Sequence, residues 1–398
     1  MNKPVYFDYA AATPTDKRVI DAMVKCLSIE GTFANPHAKD HVYGWQAAEA
    51  VEKAREQVAN LIGASPLEIT FTSGATESNN LAIFGLAQAL KQSGDKRNHI
   101  ITSKIEHKAI LEACEILEKQ GYKVTYLSPN KEGIITVDAV EKAITEDTFL
   151  VSIAQANSVL GAISDIHAIA TMCHQHNVVF HSDTAQSIGY LKMDYDHSDI
   201  DMITLTCEKV CGPKGVGALY VKRDSKLKLV AQIYGGGQEK GLRGGTVATH
   251  EVVGMGEAFE ILKKEGKSDH DRFAKLRQRL LEGIKDVKEL IVNGSKTDNL
   301  PNILSISFEN VDGHMLLPTL DGIAASTGSA CSSSNLEPSY ILKAIGLSDE
   351  VARASIRLSF GRFTTESDID TVISEITTKV PKLVEAGSMW KVKLHEKD

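Results

Sequence analysis

Between Ile69 and Val221 short apolar runs rich in β-forming residues alternate with longer stretches of helical periodicity, and no other feature constrains the fold of this chain so tightly. The runs are Ile69 to Thr72, His99 to Thr102, Val124 to Leu127, Phe149 to Ile153, Val178 to Phe180, Met202 to Leu205 and Val216 to Val221. Strands separated by a helical crossover pair in parallel, so the series predicts an α/β architecture: a mainly parallel seven-stranded sheet flanked by helices. The last run follows Leu205 too closely for a crossover and is expected to lie antiparallel to its neighbour.

Outside this block the pattern changes. Residues Asp8 to Pro14 read as a loop and helix start, Lys17 to Ser28 has helical periodicity, and a loop around Thr32 to Tyr43 holds Asn35-Pro36. Val51, Ala54, Val58, Leu61 and Ile62 form the stripe of a helix that Gly63 can cap. Helical pattern resumes around Glu251 to Lys264, followed by strand-like Ile303 to Phe308 and Ile356 to Phe360. Helices are expected near Arg272 to Ile284, Met315 to Leu320 and Glu366 to Leu383. The expected organisation is an N-terminal segment, 1–15, packing with a small α+β C-terminal domain, 256–398, around a large domain, 16–255. The stretch from Ala386 to Asp398 reads as a polar tail.

A formal net charge of -8 argues against general nucleic-acid binding. No apolar run is long enough to cross a bilayer, the first residues lead straight into structure without a signal-peptide pattern, and six scattered cysteines make no disulfide framework. A cytoplasmic setting is expected.

The chemistry concentrates in three stretches. Lys209 follows the run Met202 to Leu205 and precedes the turn Gly212-Pro-Lys-Gly215, which suits an amine that forms a Schiff base with an aldehyde cofactor, pyridoxal 5'-phosphate (PLP) being the usual one. Asp183 lies in His181-Ser-Asp-Thr-Ala-Gln186 at a strand end, where a carboxylate can keep a pyridine nitrogen protonated. Thr72-Ser-Gly-Ala-Thr-Glu-Ser78 is a strand-to-helix turn of small and hydroxyl residues, including Ala75 and Thr76, and its N–H groups suit a phosphate. Cysteines 207 and 211 flank Lys209 but supply only two ligands, so no metal is expected. His37 with His41 and His174 with His176 read as surface or capping residues.

Lys209, Asp183 and Gly74-Ala-Thr76, together with Ser329-Ala-Cys331, resemble the cysteine desulfurases, a branch of the fold-type I PLP enzymes related to class V aminotransferases. The resemblance runs from Tyr6-Phe-Asp-Tyr-Ala10 to about Trp390 and includes Gly235-Gly-Gly237, Arg243-Gly-Gly-Thr246 and Ser355 to Arg362. It implies removal of sulfur from L-cysteine, with L-alanine as product and a persulfide on Cys331, which sits in the small-residue stretch Ser326 to Asn335 of the small domain. His107, in Ile105-Glu-His-Lys108, matches a histidine that stacks over the cofactor and shuttles protons. Arg357 offers a fork for the substrate carboxylate with Asn35 assisting, Gln186 matches a contact to the ring oxygen, and Thr206 a contact to phosphate. Thr246 matches a phosphate contact that relatives supply from a partner subunit, which implies a homodimer. An iron-sulfur scaffold or a thiolation protein is the implied sulfur acceptor.

Two positions depart from the family pattern. Glu208 stands where relatives carry histidine, and a carboxylate beside a phosphate is repelled unless it turns away, is protonated or finds a cation. Ser158, in Asn157-Ser-Val159, replaces a cofactor-binding asparagine with a shorter donor. These departures keep two alternatives open: a PLP-dependent lyase or aminotransferase acting on another amino acid, and a binding protein without turnover.

Overall fold

The computed structural model describes residues 3–191, 195, 197–223, 227–327 and 337–395, with side chains as far as residue 387. Its strands are β1 (Val5–Tyr6), β2 (Ile69–Thr72), β3 (His99–Ser103), β4 (Lys123–Leu127), β5 (Thr148–Ser152), β6 (Val179–Asp183), β7 (Met202–Thr206), β8 (Gly217–Val221), β9 (Leu290–Asn293), β10 (Ile303–Phe308), β11 (Ile323–Ala324) and β12 (Ser355–Ser359). The helices are α1 (Lys17–Val24), α2 (Val42–Ile62), α3 (Ala75–Ser93), α4 (Lys108–Lys119), α5 (Val137–Glu141), α6 (Ile166–Gln175), α7 (Thr249–Ile284), α8 (Gly313–Thr319), α9 (Tyr340–Ala344), α10 (Asp349–Arg353) and α11 (Glu366–His395).

Among the described residues β2 to β8 form the expected seven-stranded sheet, in the order β2-β8-β7-β6-β5-β3-β4. The pairs β3-β4, β3-β5, β5-β6 and β6-β7 are parallel. Strand β8 runs antiparallel to both β7 and β2, as the short Lys209 connection requires. The central strands are apolar and buried on both faces, as parallel sheets covered by helices must be. Because β2 and β7 are both antiparallel to β8, they point the same way. The C-terminal ends of β2, β3, β5, β6 and β7 therefore meet at one edge, where open α/β sheets place ligands.

A second sheet, β12-β10-β9, is antiparallel and packs on a separate apolar cluster built from Phe273, Leu276, Leu280, Phe308, Leu358, Phe360 and Val372, among others. The N-terminal strand belongs to this layer: β1 pairs in parallel with β11, and Phe7 is fully buried in its core. Helix α7 ties the two layers together. Its Val252, Met255, Phe259 and Leu262 enter the core under the large sheet, while Phe273, Leu276, Leu280 and Ile284 enter the second core.

Three expectations from sequence need correction. Strand β6 does not stop at Phe180 but continues through His181 and Ser182 to Asp183. His181 stays in the sheet because its partners are built in: the ring bonds Ser152 Oγ at 2.9 Å and Thr204 Oγ1 at 3.0 Å, and burial pushes its pKa down to about 3. Strand β9 went unread because Leu290 to Asn293 is short and half-buried. The polar tail continues α11 as far as His395. A Cβ on Gly387 would meet the Asn310 carbonyl oxygen at 2.0 Å, so this glycine permits a close approach inside the helix.

Candidate active site

The strand ends at the sheet edge surround a cavity of about 640 Å3. Its floor comes from β6 and β7. Asp183, the last residue of β6, is 8% exposed, accepts from Asn79 Nδ2 at 2.8 Å and from the Ala185 N–H at 2.9 Å. These donors hold the carboxylate in one orientation. Three residues beyond β7, Lys209 places Nζ in the same cavity, donating to the Ala11 carbonyl at 2.6 Å and lying 3.0 Å from Glu208 Oε1. Thr206 ends β7 and lines the wall with Gly215 and Val216.

One side is the N-terminus of α3. Gly74 caps the helix with φ 148°, a conformation open to glycine, and makes no side-chain cap bond. A Cβ on Gly217 of β8 would come within 2.7 Å of Gly74, so two glycines let the turn sit tight against the sheet. Ser73 through Glu77 line the cavity, and a helix N-terminus without a side-chain cap offers N–H donors and a positive dipole end to an anion. Glu77 is occupied elsewhere: it accepts from the Ser73 N–H at 2.8 Å and pairs with Arg243 at 3.0 Å.

The loop after β3 supplies His107, whose Nδ1 accepts from the Ala109 N–H at 3.1 Å and caps α4. That bond puts the proton of a neutral ring on Nε2. Beside it, the buried Glu106 carboxyl accepts from the Ala154 N–H at 3.0 Å and from the Ser103 hydroxyl at 2.6 Å. Burial pushes its pKa up to about 8, and the nearby Asp183 charge pushes the same way. Glu106 thus bridges the end of β3 to the loop after β5, and its carbonyl accepts from Tyr340 Oη at 2.7 Å.

The opposite wall belongs to the second layer. Arg357 of β12 is 4% exposed, with Nη2 on Asp8 at 2.6 Å, Nη1 on the Ser158 carbonyl at 3.0 Å, and a buried Nε without a partner. Asp8 reaches it because the N-terminal segment lies against β12. Gln186 donates to the Ala10 carbonyl at 3.0 Å. The Asn157 side chain is consumed in shaping its own loop, donating to the Ile105 carbonyl and accepting from the N–H groups of Val159 and Leu160, each at 2.9 Å.

Ala75, Thr76, His107, Ser158, Asp183, Gln186, Thr206, Glu208, Lys209 and Arg357 thus line one cavity. Asn35 does not join them: it is exposed, and its Oδ1 accepts from the His37 N–H at 3.0 Å in a local turn. Thr246 is likewise exposed and away from the cavity lining of its own chain. Cys331 lies outside the described residues. Cys207 and Cys211 are buried, Cys207 donating to the Pro213 carbonyl, and His41 caps α2. Sequence reading missed Asp8, Asn79, Glu106 and Tyr340. Only Glu106, next to His107 in a strand-end loop, carried a local signal.

Comparison with known proteins agrees with this geometry. The aminotransferase class-V family profile matches residues 5–372, so the chain belongs to the class-V aminotransferase family. Within it, the chain is 50% identical over 390 residues to the cysteine desulfurase IscS of Photobacterium profundum, and 49% identical over 390 residues to that of Vibrio atlanticus. Each alignment covers 98% of this chain and 96% of the relative. Among solved structures, a NifS-like protein superposes with a TM-score of 0.86 at 34% identity, covering 94% of this chain and 98% of that one. A structure described as SspA in complex with cysteine superposes with a TM-score of 0.80 at 40% identity, covering 90% and 99%. No helix among the described residues is long and apolar enough to cross a membrane.

Proposed function

We propose that this chain is a PLP-dependent cysteine desulfurase. The observation that carries the reading is one cavity that holds an amine at Lys209, a buried carboxylate at Asp183 and the glycine-capped start of α3. These groups fit an aldehyde, a pyridine nitrogen and a phosphate. PLP, when bound, supplies an electron sink that weakens the bonds around the α- and β-carbons of an amino acid.

The chain's own residues divide the remaining work. Lys209 would hold the cofactor through its amine and, once released, would move protons at the substrate carbons. Asp183, fixed by Asn79 and Ala185, keeps the ring nitrogen charged. The N–H groups at Ala75 and Thr76, with the Thr206 hydroxyl, take the phosphate. His107 would flank the cofactor, and Gln186 and Ser158 would complete the polar wall. Arg357 takes the substrate carboxylate, for which the ligand must replace Asp8 on the guanidinium.

Cys331, by its position in Ser329-Ala-Cys331, is the sulfur acceptor. As the bond from Cβ to sulfur breaks, the thiolate sulfur bonds the departing sulfur, and protons delivered to the carbon leave L-alanine and a persulfide. The relatives' name supports an iron-sulfur scaffold or another sulfur-acceptor protein as the next partner. A homodimer is part of this reading: Thr246 is exposed, and Leu27, Ile29, Phe33, Tyr43 and Trp45 are each at least 45% exposed, apolar surface that an interface would cover.

The test is to incubate the protein with PLP, L-cysteine and a thiol and to assay sulfide and alanine. Wild type should yield both products and Cys331→Ala should yield little sulfide. Equally little sulfide from the two proteins would sink the reading.

A further inference from the structure

Three of the charged side chains that line the cavity are already committed. Glu77 is paired with Arg243, Asp183 is held by two N–H donors, and Arg357 is paired with Asp8. Glu208 differs in being paired with the Lys209 amine itself, at 3.0 Å from Nζ, while its side chain stays 31% exposed and lines the same cavity as Gly74 to Thr76 and Thr206.

We propose that Glu208 sets how loosely the site holds its cofactor, by placing a carboxylate on the wall that receives the phosphate. This rests on the reading of the cavity as a PLP site. Two effects of the same carboxylate act against capture. Lys209 must leave its ion pair with Glu208 and its bond to Ala11 before Nζ can reach an aldehyde. The phosphate, multiply charged at neutral pH, then shares the wall with an anion, and like charges a few ångströms apart repel even where partial exposure screens them. The first effect applies to any aldehyde, and the second only to one bearing a phosphate. Comparing PLP with pyridoxal therefore separates them.

The experiment titrates the cofactor-free full-length protein with PLP, and separately with pyridoxal, following the imine absorbance band and intrinsic fluorescence. The proteins are wild type, Glu208→Gln, Glu208→Asp and Lys209→Ala. Glu208→Gln should bind PLP about tenfold more tightly than wild type, a gain that shrinks as salt is raised. Pyridoxal affinity should improve by less than about threefold, the share left to the ion pair at a partly exposed site. Glu208→Asp keeps the charge and should behave as wild type does, which separates charge from side-chain removal.

Unchanged or weaker PLP binding by Glu208→Gln overturns the proposal, as does an equal gain for PLP and pyridoxal. If neither wild type nor Glu208→Gln shows an imine band with PLP, the cofactor reading itself fails and this inference falls with it. Loss of the band in Lys209→Ala alone leaves that reading standing, so the two failures are distinguishable.

Discussion

The two walls of the cavity are built on different principles. The floor, Asp183, Thr206 and Lys209, comes from the ends of adjacent parallel strands, and its carboxylate is fixed by partners within the large domain, while the Lys209 amine donates to the Ala11 carbonyl of the N-terminal segment. The opposite wall, Arg357, comes from an antiparallel sheet of the second layer, and its charge is met by Asp8 on a segment about 350 residues away in sequence. The floor is preorganised for one chemistry. The far wall holds a guanidinium whose present partner can be exchanged for a ligand carboxylate. Fixed groups suit bond-breaking, and an exchangeable ion pair suits admitting and releasing a substrate.

Replacing the floor amine should have the largest effect. Lys209→Ala should abolish the imine band and lower desulfurase turnover by at least about a thousandfold, the scale on which a positioned proton-transfer group acts. A variant retaining most of its turnover would remove the floor from the chemistry. Asp183→Asn keeps the shape and removes the charge, so turnover should fall by about a hundredfold with KM for cysteine little changed. On the far wall, Arg357→Lys loses the fork that reaches Asp8 and Ser158 together. It should raise KM for L-cysteine by about tenfold with a smaller change in kcat. If kcat fell instead and KM held, the division between the two walls would be wrong.

A finer prediction concerns Glu106, which sits behind the floor and never needs its charge. Its pKa is pushed up from 4.5 to about 8, so over that window the folded chain keeps a proton that the unfolded chain releases. The Glu106 contribution to stability is therefore full below about pH 4.5 and is lost as pH rises toward 8. Glu106→Gln keeps the size of the side chain and an acceptor for Ala154 but cannot titrate, so thermal unfolding across this range should show a shallower loss in the variant than in wild type. A parallel pair of curves would mean that Glu106 does not carry the proton. The smallest effect is expected far from both walls. Lys142→Ala removes an exposed i,i+4 pair with Asp138, and should change stability by less than about 0.5 kcal/mol and leave turnover unaltered.

The floor was legible in the sequence and the far wall only partly so. Strand runs and their spacing place Asp183, Lys209 and Thr72 to Ser78 at one sheet edge, because parallel strands joined by crossovers must present their C-terminal ends together. Even there the reading stopped β6 at Phe180, since His181 and Ser182 look like loop residues until Ser152 and Thr204 are seen to satisfy the histidine ring. Arg357 could be named from its motif, but Asp8 could not be named as its partner. Asn35, assigned beside Arg357, turned out to shape its own turn.

What the sequence determined by itself is therefore the alternation that makes the sheet, the antiparallel last strand, and the residue types that meet at its edge. These depend on local periodicity and chain connectivity, which are written along the chain. The tertiary structure alone decided that Asp8 pairs with Arg357, that α7 serves both cores, and that Gly387 lies against Asn310 inside a helix. Each of these is a contact between distant segments, fixed by which surfaces exclude water together and which charges end up within reach, and no local pattern encodes that.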